Sequence, residues 1–180
     1  MGEPVRTGHD WRPAGLVLAV VGALVVVPAG VAALVPTRET PVAADAEIEV
    51  TAAGEEPDTV TFGGVGGWAR RTTGDESAAV LIGPDGSRLA VSVIGGVTNF
   101  PDAAAWRLKV LGAQGFDASF DGGEVVNSHG FRGKTCRGTV RAGVCAIVGN
   151  EKLAVTLVLV GEDATLPELT PVLESLTVRR

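Results

Sequence analysis

Two cysteines nine positions apart are the residues whose type and spacing most directly imply chemistry. Cys136 and Cys145 are the only cysteines among 180 residues. An even count in an exported domain permits a disulfide, and this spacing lets the pair face one another across a hairpin. If they lie directly opposite, Gly138 faces Gly143, and Thr139 to Ala142 makes a four-residue loop. Antiparallel partners stand within reach of disulfide Cα spacing. Closing so short a loop stabilises a fold by roughly 2 to 3 kcal/mol in the chain-entropy model. Free thiols and a metal site are the competing readings, the latter with an incomplete ligand set, because His129 is the only nearby histidine.

Around the cysteines lies a basic cluster. No acidic residue occurs between Val125 and Asn150, whereas Arg132, Lys134, Arg137 and Arg141 all do. Such a hairpin could hold an anionic lipid headgroup, a glycan or an acidic envelope protein, or dock an acidic stretch of the same chain. The plain alternative is a solvated surface with charges on both sides of the strands. Ser128 beside His129 raises a hydrolase, since a serine needs a base to become nucleophilic. Neighbours in a strand point to opposite faces, however, and the serine has no Gly-x-Ser-x-Gly elbow. His129 is expected to be a polar turn residue. Gly133-Lys134-Thr135 resembles the end of a phosphate-binding loop, but Ser128 replaces its first glycine and a strand follows where a helix is needed. Gly63-Gly64-Val65-Gly66-Gly67 lacks the strand-to-helix context of a dinucleotide loop and is expected to be a flexible entry to the domain.

The elements that would carry these residues follow from charge and periodicity. Residues 14–35 form 22 consecutive positions without a charge, long enough as a helix to reach about 33 Å and cross a bilayer. A secretory signal is the alternative, though its apolar core is shorter. Arg6 and Arg12 precede the run and only Arg38 follows closely, so residues 1–13 are expected in the cytoplasm and the rest outside. Gly15, Ala19 and Ala23 recur every fourth residue and could pair two such helices into a homodimer. Pro28 within the run would kink it.

The net charge of −6 resides entirely in residues 36–58, where one arginine stands against seven carboxylates. This composition reads as an acidic flexible tether, with an optional edge strand at Ala46 to Val50. Residues 59–180 are electrically neutral and large enough for one extracytoplasmic α+β domain. Ser77 to Ile82 and Arg88 to Ile94 flank Gly-Pro-Asp-Gly-Ser and predict a hairpin. Asn99-Phe100-Pro101-Asp102 opens a helix through Ala113, with Ala104, Leu108 and Leu111 on one stripe, Trp106 and Val110 widening it, and Gly115 ending it. Strands are expected at Glu124 to Asn127, through the cysteine hairpin, and centrally at Lys152 to Val160. A short helix over Glu168 to Leu176, containing Pro171, precedes a last strand at Thr177 and Val178 that closes the sheet. The expected fold class is thus α+β: an N-terminal transmembrane helix, then one small domain with a mainly antiparallel sheet and one or two helices.

From Trp68 to Arg180 the chain resembles PsbP-like domains of the LpqN type. The resemblance rests on the Gly-Trp opening, the hairpin at Ala79 to Val93, the helix with Ala103-Ala104-Ala105, the Gly130-Phe131-Arg132-Gly133 step and the closing Leu173-Glu174-Ser175-Leu176-Thr177-Val178. It implies a non-enzymatic binding or accessory module with an antiparallel sheet flanked by helices, and carries over no functional residue. The expected function is therefore a membrane-anchored extracytoplasmic binding module of the cell envelope, without cofactor or metal. A bitopic subunit of a larger membrane or secretion complex and an envelope hydrolase using His129 are the rivals. Nucleic acid is not an expected partner, because the domain lacks net positive charge and tyrosine.

Overall fold

The computed structural model describes residues 20, 22, 24, 26, 39–54, 57–150 and 152–179. The chain divides into two compact units, Met1–Thr37 and Arg38–Arg180. The second unit contains, in order, β1 (Glu39–Pro41), β2 (Ile48–Thr51), β3 (Thr59–Phe62), β4 (Ala69–Arg71), β5 (Ala78–Ile82), β6 (Arg88–Gly95) and α1 (Phe100–Ala113). It continues with β7 (Ala118–Val126), β8 (Arg132–Gly138), β9 (Gly143–Gly149), β10 (Leu153–Val160), α2 (Leu166–Ser175) and β11 (Thr177–Arg179).

Eight strands form one antiparallel sheet in the order β1-β4-β5-β6-β10-β9-β8-β7, and three form a second in the order β11-β3-β2. The β-branched run of β10 takes a central place between β6 and β9. Side chains alternate across it. Leu153, Val155, Leu157 and Leu159 enter the larger core, together with Val50, Val60 and Phe62 of the second sheet and Leu169, Val172 and Leu176 from α2 and its end. Val158 faces the other way, into a smaller core with Ala104 and Leu111 of α1, Phe116, Ile147 and both cysteines. Covered on both faces, β9 is buried along its whole length.

Local chemistry fixes the ends of α1. The Asn99 side chain accepts from the Asp102 N–H at 3.3 Å, Pro101 sits in the first turn, and Gly115 follows the helix at φ +86°. The β5–β6 turn closes as its sequence predicts: Gly83 donates to the Ser87 carbonyl at 2.8 Å, and Asp85 accepts from both the N–H and the hydroxyl of Ser87.

Five expectations require correction. Among the described residues no helix is long and apolar enough to cross a membrane. An uncharged run reports composition, whereas a span needs about 20 residues of continuous apolar helix, and α1 and α2 have 14 and 10 residues. The run 14–35 lies outside the described residues except for Val20, Gly22, Leu24 and Val26. Arg6, Arg12, Pro28 and the Gly15, Ala19, Ala23 face lie outside them altogether. Over described residues 39–179, the fold class is corrected to a mostly antiparallel β structure with two helices, α1 and α2.

The acidic segment, expected as a tether, contributes β1 and β2. The optional strand at Ala46 to Val50 is realised in β2: Ile48 and Val50 point into the core while Glu49 points out to Arg179, and Glu39 pairs with Arg71 at 2.9 Å. The strand expected to close the main sheet, β11, instead pairs with β3 in the second sheet. The glycine run before Trp68 is a packed corner: Gly67 donates to the Val42 carbonyl at 3.0 Å, Trp68 donates to the Val65 carbonyl at 3.1 Å, and Val42 donates to the Trp68 carbonyl at 2.8 Å. Finally, Trp106 does not widen the buried face of α1. It lies two residues beyond Ala104, about 200° around the helix, and is 55% exposed.

Candidate functional site: a basic cleft at one end of the main sheet

At one end of the main sheet three connections converge: the loop from β6 to α1, the turn from β7 to β8 and the turn from β9 to β10. They border an open cleft of about 880 Å³ lined by Thr98, Phe100, His129, Arg132, Asn150 and Lys152. Its floor is made by an absence of side chain. Gly149 pairs with Arg132 on one side and Ala154 on the other, and the Phe100 ring occupies the space a Cβ there would need, at 2.5 Å from that position. Any larger residue at 149 would push the ring off the sheet.

The two turns are built alike. Asn127 Oδ1 accepts from the N–H groups of His129 and Phe131, both at 3.0 Å. Asn150 Oδ1 accepts from those of Lys152 at 2.9 Å and Leu153 at 3.1 Å. Each asparagine thereby forms an Asx-type turn that delivers a basic residue two positions later to the same cleft. Asn127 also donates through Nδ2 to the carbonyls of Leu173 and Leu176, at 2.9 and 3.0 Å, so the His129 turn is tied to the end of α2. Every hydrogen-bonding position of that amide is filled. The β9–β10 turn is held from below by Val97 N–H to Lys152 O at 2.9 Å.

Arg132, Lys152 and His129 are exposed, and none of the described residues bordering the cleft is a carboxylate. Glu151, between Asn150 and Lys152, lies outside the described residues. The arrangement gathers positive potential over an aromatic floor, with neutral donors beside it, which suits an anion.

Of the four basic residues singled out in the sequence, only Arg132 enters the cleft. Lys134 shares its face of β8 but lies opposite Glu124, with its ammonium 5.7 Å from the centre of the Phe120 ring. Arg137 falls on the opposite face, near Asp121, whose carboxyl the hydrogen bond from Thr135 holds below its ordinary pKa, with a minor contribution from the Arg137 charge. Arg141 sits in the loop beyond β8. The strand period divides a cluster that is continuous in sequence. Lys152, missed from sequence, joins the site from another hairpin; its signal was the repeated spacing of Asn127 with His129 and Asn150 with Lys152.

Cys136 and Cys145 form a disulfide across β8 and β9 in direct register, with a Cα separation of 4.8 Å. Both are fully buried beneath α1. The loop between them spans 139–142, as their spacing predicts. Among the described residues no group of three or more His, Cys, Asp or Glu could hold a metal ion. Ser128 and His129 share no described hydrogen bond, and Lys134 and Thr135 lie in β8, without the helix a phosphate loop requires.

Arg107 was also missed. It occupies the buried stripe of α1 and is only 7% exposed, donating through Nε to Thr156 Oγ1 at 2.9 Å and through a terminal nitrogen to Ser92 Oγ. No described carboxylate pairs with it, and burial lowers its pKa from the ordinary arginine value.

Compared with protein families, curated proteins and solved structures, the chain matches none significantly.

Proposed function

We propose that the Arg38–Arg180 unit is an exported, non-catalytic binding module that takes an anionic ligand in the cleft between the β7–β8 and β9–β10 turns. The observation that carries this reading is the convergence of His129, Arg132 and Lys152 on one cleft floored by Phe100, with no carboxylate among its described border residues. The buried disulfide supports an oxidising compartment. The resemblance to PsbP-like domains points the same way. The binding role is favoured over hydrolysis because the described hydrogen bond of His129 is made by its backbone N–H to Asn127, which positions the residue without engaging its imidazole.

Native mass spectrometry of the full chain, isolated gently from its own cells, tests this. A discrete bound mass, retained by the natural protein and lost from the Arg132→Gln/Lys152→Gln double variant, is the expected result. An adduct-free natural protein, or a mass equally retained by the double variant, would overturn it.

A further inference from the structure

The cleft also carries information about the class of its ligand. Resting on the binding-module reading above, we infer that it is a receptor for a phosphorylated polyol, the chemistry shared by a sugar-phosphate unit of a glycan and the headgroup of an inositol- or sugar-bearing phospholipid. Three kinds of group are brought together. Arg132, Lys152 and His129 stand around the opening, on β8 and on two separate turns, so they can approach different oxygens of one phosphate. Thr98 and Asn150 border the same space. The Oδ1 of Asn150 is occupied by two backbone N–H groups, which leaves its amide nitrogen as a donor for ligand hydroxyls. The Phe100 ring, seated against Gly149, offers a flat apolar surface for the C–H face of a polyol ring.

Size separates this ligand from a bare anion. A cleft of about 880 Å³ falls within the range of small-molecule sites and far exceeds what one phosphate group fills. The Phe100 floor would have no partner in inorganic phosphate. One neighbour distinguishes the two sources of such a ligand. Val126 pairs with Arg132 across β7 and β8 and is 70% exposed, placing an apolar side chain on the same face beside the cation. At a lipid surface Val126 would enter the interface while Arg132 met the headgroup. A free glycan makes no use of it.

The test is calorimetric titration of the full chain with myo-inositol 1-phosphate, with myo-inositol as control. Expected is binding of the phosphate about tenfold tighter or more than of the parent polyol. Arg132→Gln or Lys152→Gln should each weaken it by about tenfold or more, while Arg137→Gln, on the other face of β8, leaves it unchanged. Equal affinity for the two polyols would overturn the phosphate assignment; the retained mass in the preceding experiment would then still stand for the binding module. A loss on Arg137→Gln as large as that on Arg132→Gln would also overturn it, showing a general charge effect. Cosedimentation with phosphatidylcholine vesicles, with and without phosphatidylinositol, separates the sources. Selective pelleting that Val126→Ser weakens, with soluble binding unaffected, assigns a lipid headgroup. Binding of the soluble phosphate without selective pelleting assigns a glycan. Failure of both soluble and vesicle binding would overturn the inference.

Discussion

The two faces of the main sheet are made of different material. Towards the second sheet and α2, β6, β9 and β10 present Leu89, Val91, Ala146, Leu157 and Leu159 to the larger apolar core. Towards α1 the same strands present a disulfide, two hydroxyls under a buried arginine, and a glycine that opens a cleft. The first face is organised for burial. The second trades packing for polar geometry, and the candidate site stands at its end. A sheet covered on both sides can therefore divide its tasks, because successive side chains along each strand serve different layers.

Substitutions can break this contrast, and the largest effect should come from the apolar face. Leu157→Ala, at a fully buried central position, should destabilise by about 2 to 5 kcal/mol in urea unfolding, because little around it can collapse into the void. On the other face, Cys136→Ala/Cys145→Ala should cost about 2 to 3 kcal/mol, measured against the oxidised protein in the same titration. A loss much smaller than this would mean that closing the short loop contributes less than chain entropy predicts. Thr156→Val, which removes the hydroxyl that Arg107 Nε meets at 2.9 Å, should cost about 1 to 3 kcal/mol by leaving a buried donor without a partner. Arg107→Met, in contrast, should be close to neutral or stabilising, since it removes the buried charge together with its need for partners. Opposite outcomes for these two variants would sharpen the distinction between a polar group and its packing volume.

The smallest effects belong at the surface. Glu49→Gln, which breaks the exposed pair with Arg179, should alter stability by no more than about 1 kcal/mol, and less in high salt. The Asp121 carboxyl has a lowered pKa in the folded state. Its contribution is therefore present above the ordinary aspartate range and is lost as pH falls through the folded value, because the unfolded chain then binds more protons. Thr135→Val removes the principal cause, so the acid side of a stability-against-pH curve should become shallower.

Much of this architecture was legible because local signals agreed with one another. Asn99 and Gly115 marked both ends of α1, Pro84-Asp85-Gly86 marked the β5–β6 turn, and the cysteine spacing gave the β8–β9 register. What escaped the sequence was nonlocal. The alternation of Ile48 and Val50 offered a strand within the acidic segment, but its partners in β3 lie beyond any local signal. Arg107 falls on the same stripe as Ala104 and Leu111, yet the hydroxyls that receive it are 15 and 49 residues away. The basic cluster left two arrangements open, one binding surface or charges on both sides of the strands, because its sequence does not say which member meets residues of another hairpin. Only pairing of Arg132 with Gly149 showed that one of its members belongs with Lys152 and His129.

The disulfide has a consequence for cleavage. Arg137 and Arg141 both lie between Cys136 and Cys145, and both are exposed. A trypsin-like protease that cuts after Arg141 would divide the polypeptide into two fragments that stay covalently joined through the sulfur bridge. Such a molecule would run as one species without reductant and as two with it. Its sheet, held on either side of the cut by the same bridge, would keep the cleft at the far end of β8 assembled.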